Sequence, residues 1–116
     1  MPNGPRFKVV FYKSQSGREP VRDWIRNLSL EDKKAIGEDI KTVQFGWPLG
    51  MPLVRKLELD LWEVRSNTQA GFARVLFTVQ AEYLILLHGF IKKTAKTPMD
   101  DLLLARRRLA RLRGEK

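Results

Sequence analysis

Leu61-Trp62-Glu63-Val64-Arg65, then Phe72-Ala73-Arg74-Val75-Leu76-Phe77, then Leu86-Leu87-His88-Gly89-Phe90-Ile91-Lys92 are the runs on which the fold turns. They belong to strand-like segments Leu61 to Ser66, Phe72 to Gln80 and Tyr83 to Ile91, preceded by a shorter one from Leu53 to Leu57. Short connections make these strands antiparallel neighbours. Side chains alternate along a strand, so Glu63 and Arg65 share a face opposite Trp62 and Val64, and Arg74 opposes Val75 and Phe77. Matching apolar face to apolar face brings Glu63, Arg65 and Arg74 together, since a slip of one residue would bury the charges instead. By the same alternation His88, Phe90 and Lys92 point away from Leu87, Gly89 and Ile91 and join the Arg65/Arg74 face. The segment around Arg55 and Lys56 is too brief to settle the face of Lys56.

Upstream, Phe7 to Lys13 is rich in aromatic and β-branched residues and predicts a first strand, broken by Ser14-Gln15-Ser16-Gly17. Glu19-Pro20 opens a helix with an apolar face of Val21, Trp24, Ile25 and Leu28. Ser29 caps a second helix, with Asp32 three residues on as in a capping box. Ala35, Ile36, Ile40 and Val43 form its buried stripe, and Gly46-Trp47-Pro48 ends it. Downstream, Thr97-Pro98 starts a last helix, with Asp100 and Asp101 placed favourably against its dipole. Leu102, Ala105, Leu109 and Leu112 face inward on it, and arginines fill the rest. The expected order is β-α-α-β-β-β-β-α, an α+β domain with a small, twisted, mainly antiparallel sheet and an N-terminal helical hairpin. Trp24, Trp47 and Trp62 read as packing.

A chain of 116 residues, 43% of them hydrophobic, has material for one core and is expected to form a single domain over residues 1–116. It has no cysteine, which excludes disulfides and thiolate chemistry. No stretch resembles a signal peptide or reaches the roughly 20 apolar residues of a membrane span, so the expectation is a cytoplasmic protein with no membrane partner. Lys plus Arg total 22 against 13 Asp plus Glu, a net charge of +9. A small domain this basic attracts polyanions: nucleic acid, an acidic protein or an anionic surface.

Much familiar chemistry is missing. His88 is the single histidine, which excludes a two-histidine ribonuclease mechanism. No residues have metal-ligand spacing, and no glycine-rich phosphate loop or nucleophile elbow occurs. What remains is a basic strand face: Arg65, Arg74, Lys92 and an undecided Lys56, with His88, Phe90 and the carboxylate Glu63, and with Lys93 and Lys96 just beyond. Clustered cations hold a phosphate and stabilise the charge of a phosphoryl transition state. They also depress the pKa of a neighbouring lysine, which makes Lys56 or Lys92 a usable base. An aromatic such as Phe90 can stack on an unpaired base. Plainer roles fit the same residues: Glu63 as ion-pair partner of Arg65 or Arg74, His88 as a satisfied core histidine, and Phe90 as core. The last helix's arginines read first as a solvated or partner-binding face.

Lys56-Leu57, Leu61 to Arg65, Arg74 to Phe77, Leu86 to Thr94 and Lys96-Thr97-Pro98 together resemble the signature of phage-derived Gp49-like proteins, HigB-type toxins within the RelE/ParE superfamily. The likeness runs over about residues 6 to 112, with the stretch from Lys56 to Pro98 its specific part. It implies a RelE-like fold and a type II toxin–antitoxin module with a helix-turn-helix, HigA-like antitoxin. It implies mRNA as substrate, cut on the ribosome without metal or other cofactor, the 2′-hydroxyl attacking its own phosphodiester. Arg65 and Arg74 would then hold the scissile phosphate and Lys56 or Lys92 would assist proton transfer. Phe90 would stack on a base, with His88 beside it, while Lys93 and Lys96 would grip RNA backbone. Many RelE-like toxins carry a functional tyrosine near the C-terminus, whereas no tyrosine follows Tyr83 here. Two alternatives share the fold: a ParE-like inhibitor that poisons DNA gyrase by contact, and a nucleic-acid-binding module without catalysis.

Overall fold

Residues 4–92 and 98–114 are described in the computed structural model of the chain. Among them lie five strands and three helices in the expected order: β1 Lys8–Phe11, α1 Pro20–Arg26, α2 Leu30–Gly46, β2 Val54–Glu58, β3 Leu61–Thr68, β4 Gly71–Gln80, β5 Tyr83–Lys92 and α3 Met99–Leu112. The architecture is α+β, an open sheet of order β1-β5-β4-β3-β2. Strands β2 to β5 form an antiparallel meander, and β1 runs parallel to β5 at the far edge. The helical hairpin carries the chain from one edge of the sheet to the other. β1 stops earlier than its residue types suggest, because the chain turns at Ser14, whose carbonyl accepts from Gly17 N at 2.9 Å.

One face of the sheet packs on the hairpin. Ile36, Ile40 and Val43 recur at helical spacing on α2 and meet Val64, Val75, Phe77, Leu84 and Leu86 of the strands. Each such side chain, fully withdrawn from water, contributes about 1.5–3 kcal/mol. Trp47, just past α2, packs edge-on against Trp62 and Phe77 with ring centroids 5.1 and 5.6 Å away. Gly89 permits the approach of α1: a Cβ there would stand 2.4 Å from the Trp24 ring.

Ser29 does cap α2, its Oγ accepting from Asp32 N at 3.2 Å. The carboxylate of Asp32 does not close a capping box, however. It accepts instead from Gln69 N at 3.0 Å and ties the helix to the β3–β4 turn. Pro98 occupies the N-cap of α3 with no side-chain cap bond, and Thr97 lies outside the described residues.

Helix α3 covers part of the opposite face. Ala105 and Leu109 pack on Leu61, Leu76, Ile85 and Leu87, with Leu102 and Leu112 at the margin. Here strict alternation fails. Leu76 pairs with His88 but Phe77 with Leu86, so the register shifts and Leu87 is an extra residue in β5. Expected on the side away from His88, Leu87 therefore lies on the same side, under α3, as a bulge allows.

Candidate functional site

The register sets the site. Arg65 stands directly opposite Arg74, Arg74 opposite Phe90, and Phe72 opposite Lys92. In the other direction Glu63 pairs with Arg55 of β2 and with Leu76 of β4. Partners across a sheet project to the same side, so Arg55, Glu63, Arg65, Arg74 and Lys92 share one face. It is the face that α3 covers only in part.

Three of these charges are deep: Glu63 is 0% exposed, Arg74 3% and Lys92 5%. Arg65 is half-buried and Arg55 exposed. The Arg74 guanidinium lies 3.9 Å from Glu63 Oε1, donates through Nη1 to the Ala73 carbonyl at 2.9 Å, and sits 5.6 Å from the centre of the Phe72 ring. Removing ions from water costs several kcal/mol each unless close partners compensate. On this face Arg55, Arg65, Arg74 and Lys92 stand with the Glu63 carboxylate. Burial lowers the Arg74 pKa, Arg65 adds to the effect, and Glu63 opposes it. Burial likewise lowers that of Lys92, with Arg74 next and Glu63 again opposing. Excess positive charge is thus held on a low-dielectric floor, where an incoming anion gains more than it would in open water.

The cluster opens on a cavity of about 440 Å³ lined by Arg65, Arg74, Phe72 and Asn67 from the sheet, with Leu53 and Asp39 at its margin. Phe72, 42% exposed, offers its ring to this space. Among the described residues the Arg65 guanidinium has one weak hydrogen bond at the cavity, Nη1 to Met51 Sδ at 3.6 Å. Asp39 is held by Ser66, whose hydroxyl donates to Oδ2 at 2.6 Å.

Of the residues singled out in the sequence, Arg65, Arg74 and Lys92 come together. Lys56 does not: it pairs with Trp62, on the hairpin side of the sheet, and its Nζ lies 6.0 Å from that ring's centre. The register of β2 delivers Arg55 to the cluster in its place. Phe90 is on the expected face but 9% exposed, packed in the α3 cluster and stacked on His88 at 5.4 Å between centroids. Its ring does not line the cavity; Phe72 is the aromatic that does. Phe72 was legible in principle, since it shares the parity of Arg74 and lies beside a turn, where a covering helix is least expected.

His88 belongs to the helix-covered half of the face. Its Nε2 lies 2.5 Å from Asp101 Oδ1 and its Nδ1 3.5 Å from Arg108 Nη1. Burial lowers its pKa, Asp101 opposes this, and Arg108 contributes. It is a histidine with a structural partner. Lys93 and Lys96 lie outside the described residues.

A sequence profile for phage-derived Gp49-like proteins matches residues 23–110, which takes in the end of α1, all of α2, β2 to β5 and most of α3. No curated protein matches the chain.

Proposed function

This chain belongs to the Gp49-like family of phage-derived proteins, a toxin-type family of toxin–antitoxin systems, and from that premise we propose that it is a HigB-type toxin that cuts mRNA on the ribosome. The carrying observation is Arg65 facing Arg74 across β3 and β4 in the lining of a pocket that also takes in Phe72, with Lys92, Arg55 and Glu63 on the same sheet face. A phosphodiester entering that pocket brings its negative charge to the two arginines that line it. The gain grows as the phosphorane-like transition state gathers a second charge, which is the condition for catalysis rather than mere binding.

In this reading the substrate's 2′-hydroxyl attacks the adjacent phosphorus. Arg65 holds a non-bridging oxygen directly and Arg74 supplies charge from beneath. Lys92, whose neutral form burial favours, receives the 2′-hydroxyl proton. The 5′-oxygen leaves as a hydroxyl after taking a proton from water, and the other product ends in a 2′,3′-cyclic phosphate. Phe72 takes the stacking role that the family resemblance assigned to Phe90, and Lys93 and Lys96 grip the RNA backbone. The protein acts in the cytoplasm as one RelE-like domain, and a helix-turn-helix antitoxin holds it in check.

Primer extension on cellular mRNA after brief induction tests the proposal. Discrete breaks are expected, absent with Arg65→Ala. Growth arrest with intact transcripts and DNA-damage signalling would instead indicate a gyrase poison. Transcripts bound but uncut in the presence of ribosomes would reduce the protein to a binding module.

A further inference from the structure

Helix α3 carries arginines that the fold uses unequally. Arg106 makes a two-pronged contact with Glu58, with nitrogen–oxygen distances of 2.7 to 3.0 Å, and Arg113 meets Asp60 at 2.6 Å. Arg108 donates to the Leu87 carbonyl at 2.7 Å and lies over the Tyr12 ring. These three anchor the helix to the sheet. Arg107 and Arg111 are exposed, and among the described residues neither has an ion pair.

Both line a groove between α3 and the segment from Tyr12 to Pro20. Two adjoining cavities, about 460 and 230 Å³, share Tyr12, Ser14 and Arg111 and so run into one another. Lys13 adds a further cation at one end, and among the described residues no carboxylate lines either cavity. Tyr12, Pro20, Leu104 and Leu112 supply apolar wall. The groove has no residue in common with the Arg65/Arg74 pocket.

Two kinds of polyanion fit such a charge, and the wall separates them. An RNA strand satisfies arginines and can stack a base on Tyr12, but its sugars and phosphates are too polar to cover the methyls of Leu104 and Leu112. A peptide with carboxylates on one side and aliphatic side chains on the other satisfies both, and burying the aliphatic part adds about 25 cal/mol per Å². We propose that the groove between α3 and the Tyr12–Pro20 segment is the docking site for an acidic, amphipathic segment of a protein partner, seated apart from the Arg65/Arg74 pocket. For a toxin-type family the antitoxin is the natural owner of that segment. The inference requires no ribonuclease activity, so it stands or falls separately from the cutting mechanism.

Backbone NMR of the full chain tests it with three probes: a short helical peptide of alternating Glu and Leu pairs, a poly-glutamate peptide of equal charge, and oligouridylate. The amphipathic peptide is expected to shift the amides of Tyr12 to Gln15 and of Arg107 to Leu112, and to bind about tenfold more tightly than poly-glutamate, as roughly 1.4 kcal/mol of apolar burial gives. Oligouridylate is expected to shift Arg65, Phe72 and Arg74 instead. Arg107→Glu with Arg111→Glu, both exposed and so compatible with folding, should abolish peptide binding while leaving the oligouridylate shifts in place. The proposal is overturned if oligouridylate occupies the groove, if the peptide goes to the Arg65/Arg74 pocket, if poly-glutamate binds equally well, or if the double variant binds the peptide as the parent does.

Discussion

Two halves of one sheet face, built by the same strands, treat charge in opposite ways. Under α3 the polar groups that hold the helix to the sheet are partnered: His88 with Asp101, Arg106 with Glu58, Arg113 with Asp60, set around the apolar contacts of Leu61, Leu76 and Leu109. Beyond the helix, Arg55, Arg65, Arg74 and Lys92 stand with Glu63. The covered half minimises its own free energy. The half beyond the helix instead gathers cations beside a cavity lined by Arg65 and Arg74, with burial lowering the pKa of Arg74 and Lys92, a combination that makes it the candidate site. The contrast locates the site more sharply than the net charge does, because basic residues are found on both halves.

The largest expected effect comes from breaking the balance of the uncovered half. Glu63→Leu withdraws the carboxylate from between buried Arg74 and Lys92 and should cost about 3–5 kcal/mol of stability, measured by chemical denaturation. A loss under 1 kcal/mol would mean that the cations are compensated elsewhere.

Next is Arg65→Ala. A half-buried guanidinium with one weak hydrogen bond among the described residues contributes little to folding, yet its removal should lower mRNA cleavage about 100-fold or more, as loss of a charge-stabilising donor does. An equal fall in stability would assign Arg65 to the fold. Phe72→Ala should cost a further distinct but smaller amount, about tenfold in single-stranded RNA binding, with recovery in Phe72→Tyr. Failure of the tyrosine to restore binding would argue against stacking.

The covered half gives a pH effect of definite sign. Folding lowers the His88 pKa, so the folded state keeps the ring neutral where the unfolded chain already binds a proton. The contribution is fully present above the ordinary histidine value of about 6.5 and is lost as pH falls below it, until the lower folded value is reached. Thermal midpoints should therefore decline more from neutral pH to about 5 in the parent than in His88→Gln. Parallel curves would refute the assignment. Smallest of all, Lys56→Ala should leave cleavage within about twofold, because this side chain lies on the hairpin side; a loss as large as that of Arg65→Ala would contradict the register of β2.

Much of this was legible in advance. Alternation in Glu63-Val64-Arg65 and Arg74-Val75, with one apolar side to bury, dictates that Arg65 and Arg74 emerge together. The helical stripes of α2 and α3 are equally plain, since Ile36, Ile40, Ala105 and Leu109 recur with the period of a helix. Lys56 was beyond reach because its strand is short and exposed, so either register buries about as much. Leu87 was misplaced because a bulge adds a residue to one strand without any mark in the pattern. Phe90 and Phe72 share a parity, and parity is silent on which of them a helix will cover.

Periodicity by itself determined the elements, their order and the sheet face of Glu63, Arg65 and Arg74, because burying one face and wetting the other is a local demand on each segment. Only the tertiary structure decided that β1 joins β5, that α3 stops short of Arg74, and that Arg55 rather than Lys56 completes the cluster. Those outcomes depend on how separate segments meet, and contacts between distant parts of a chain leave no period in any one of them.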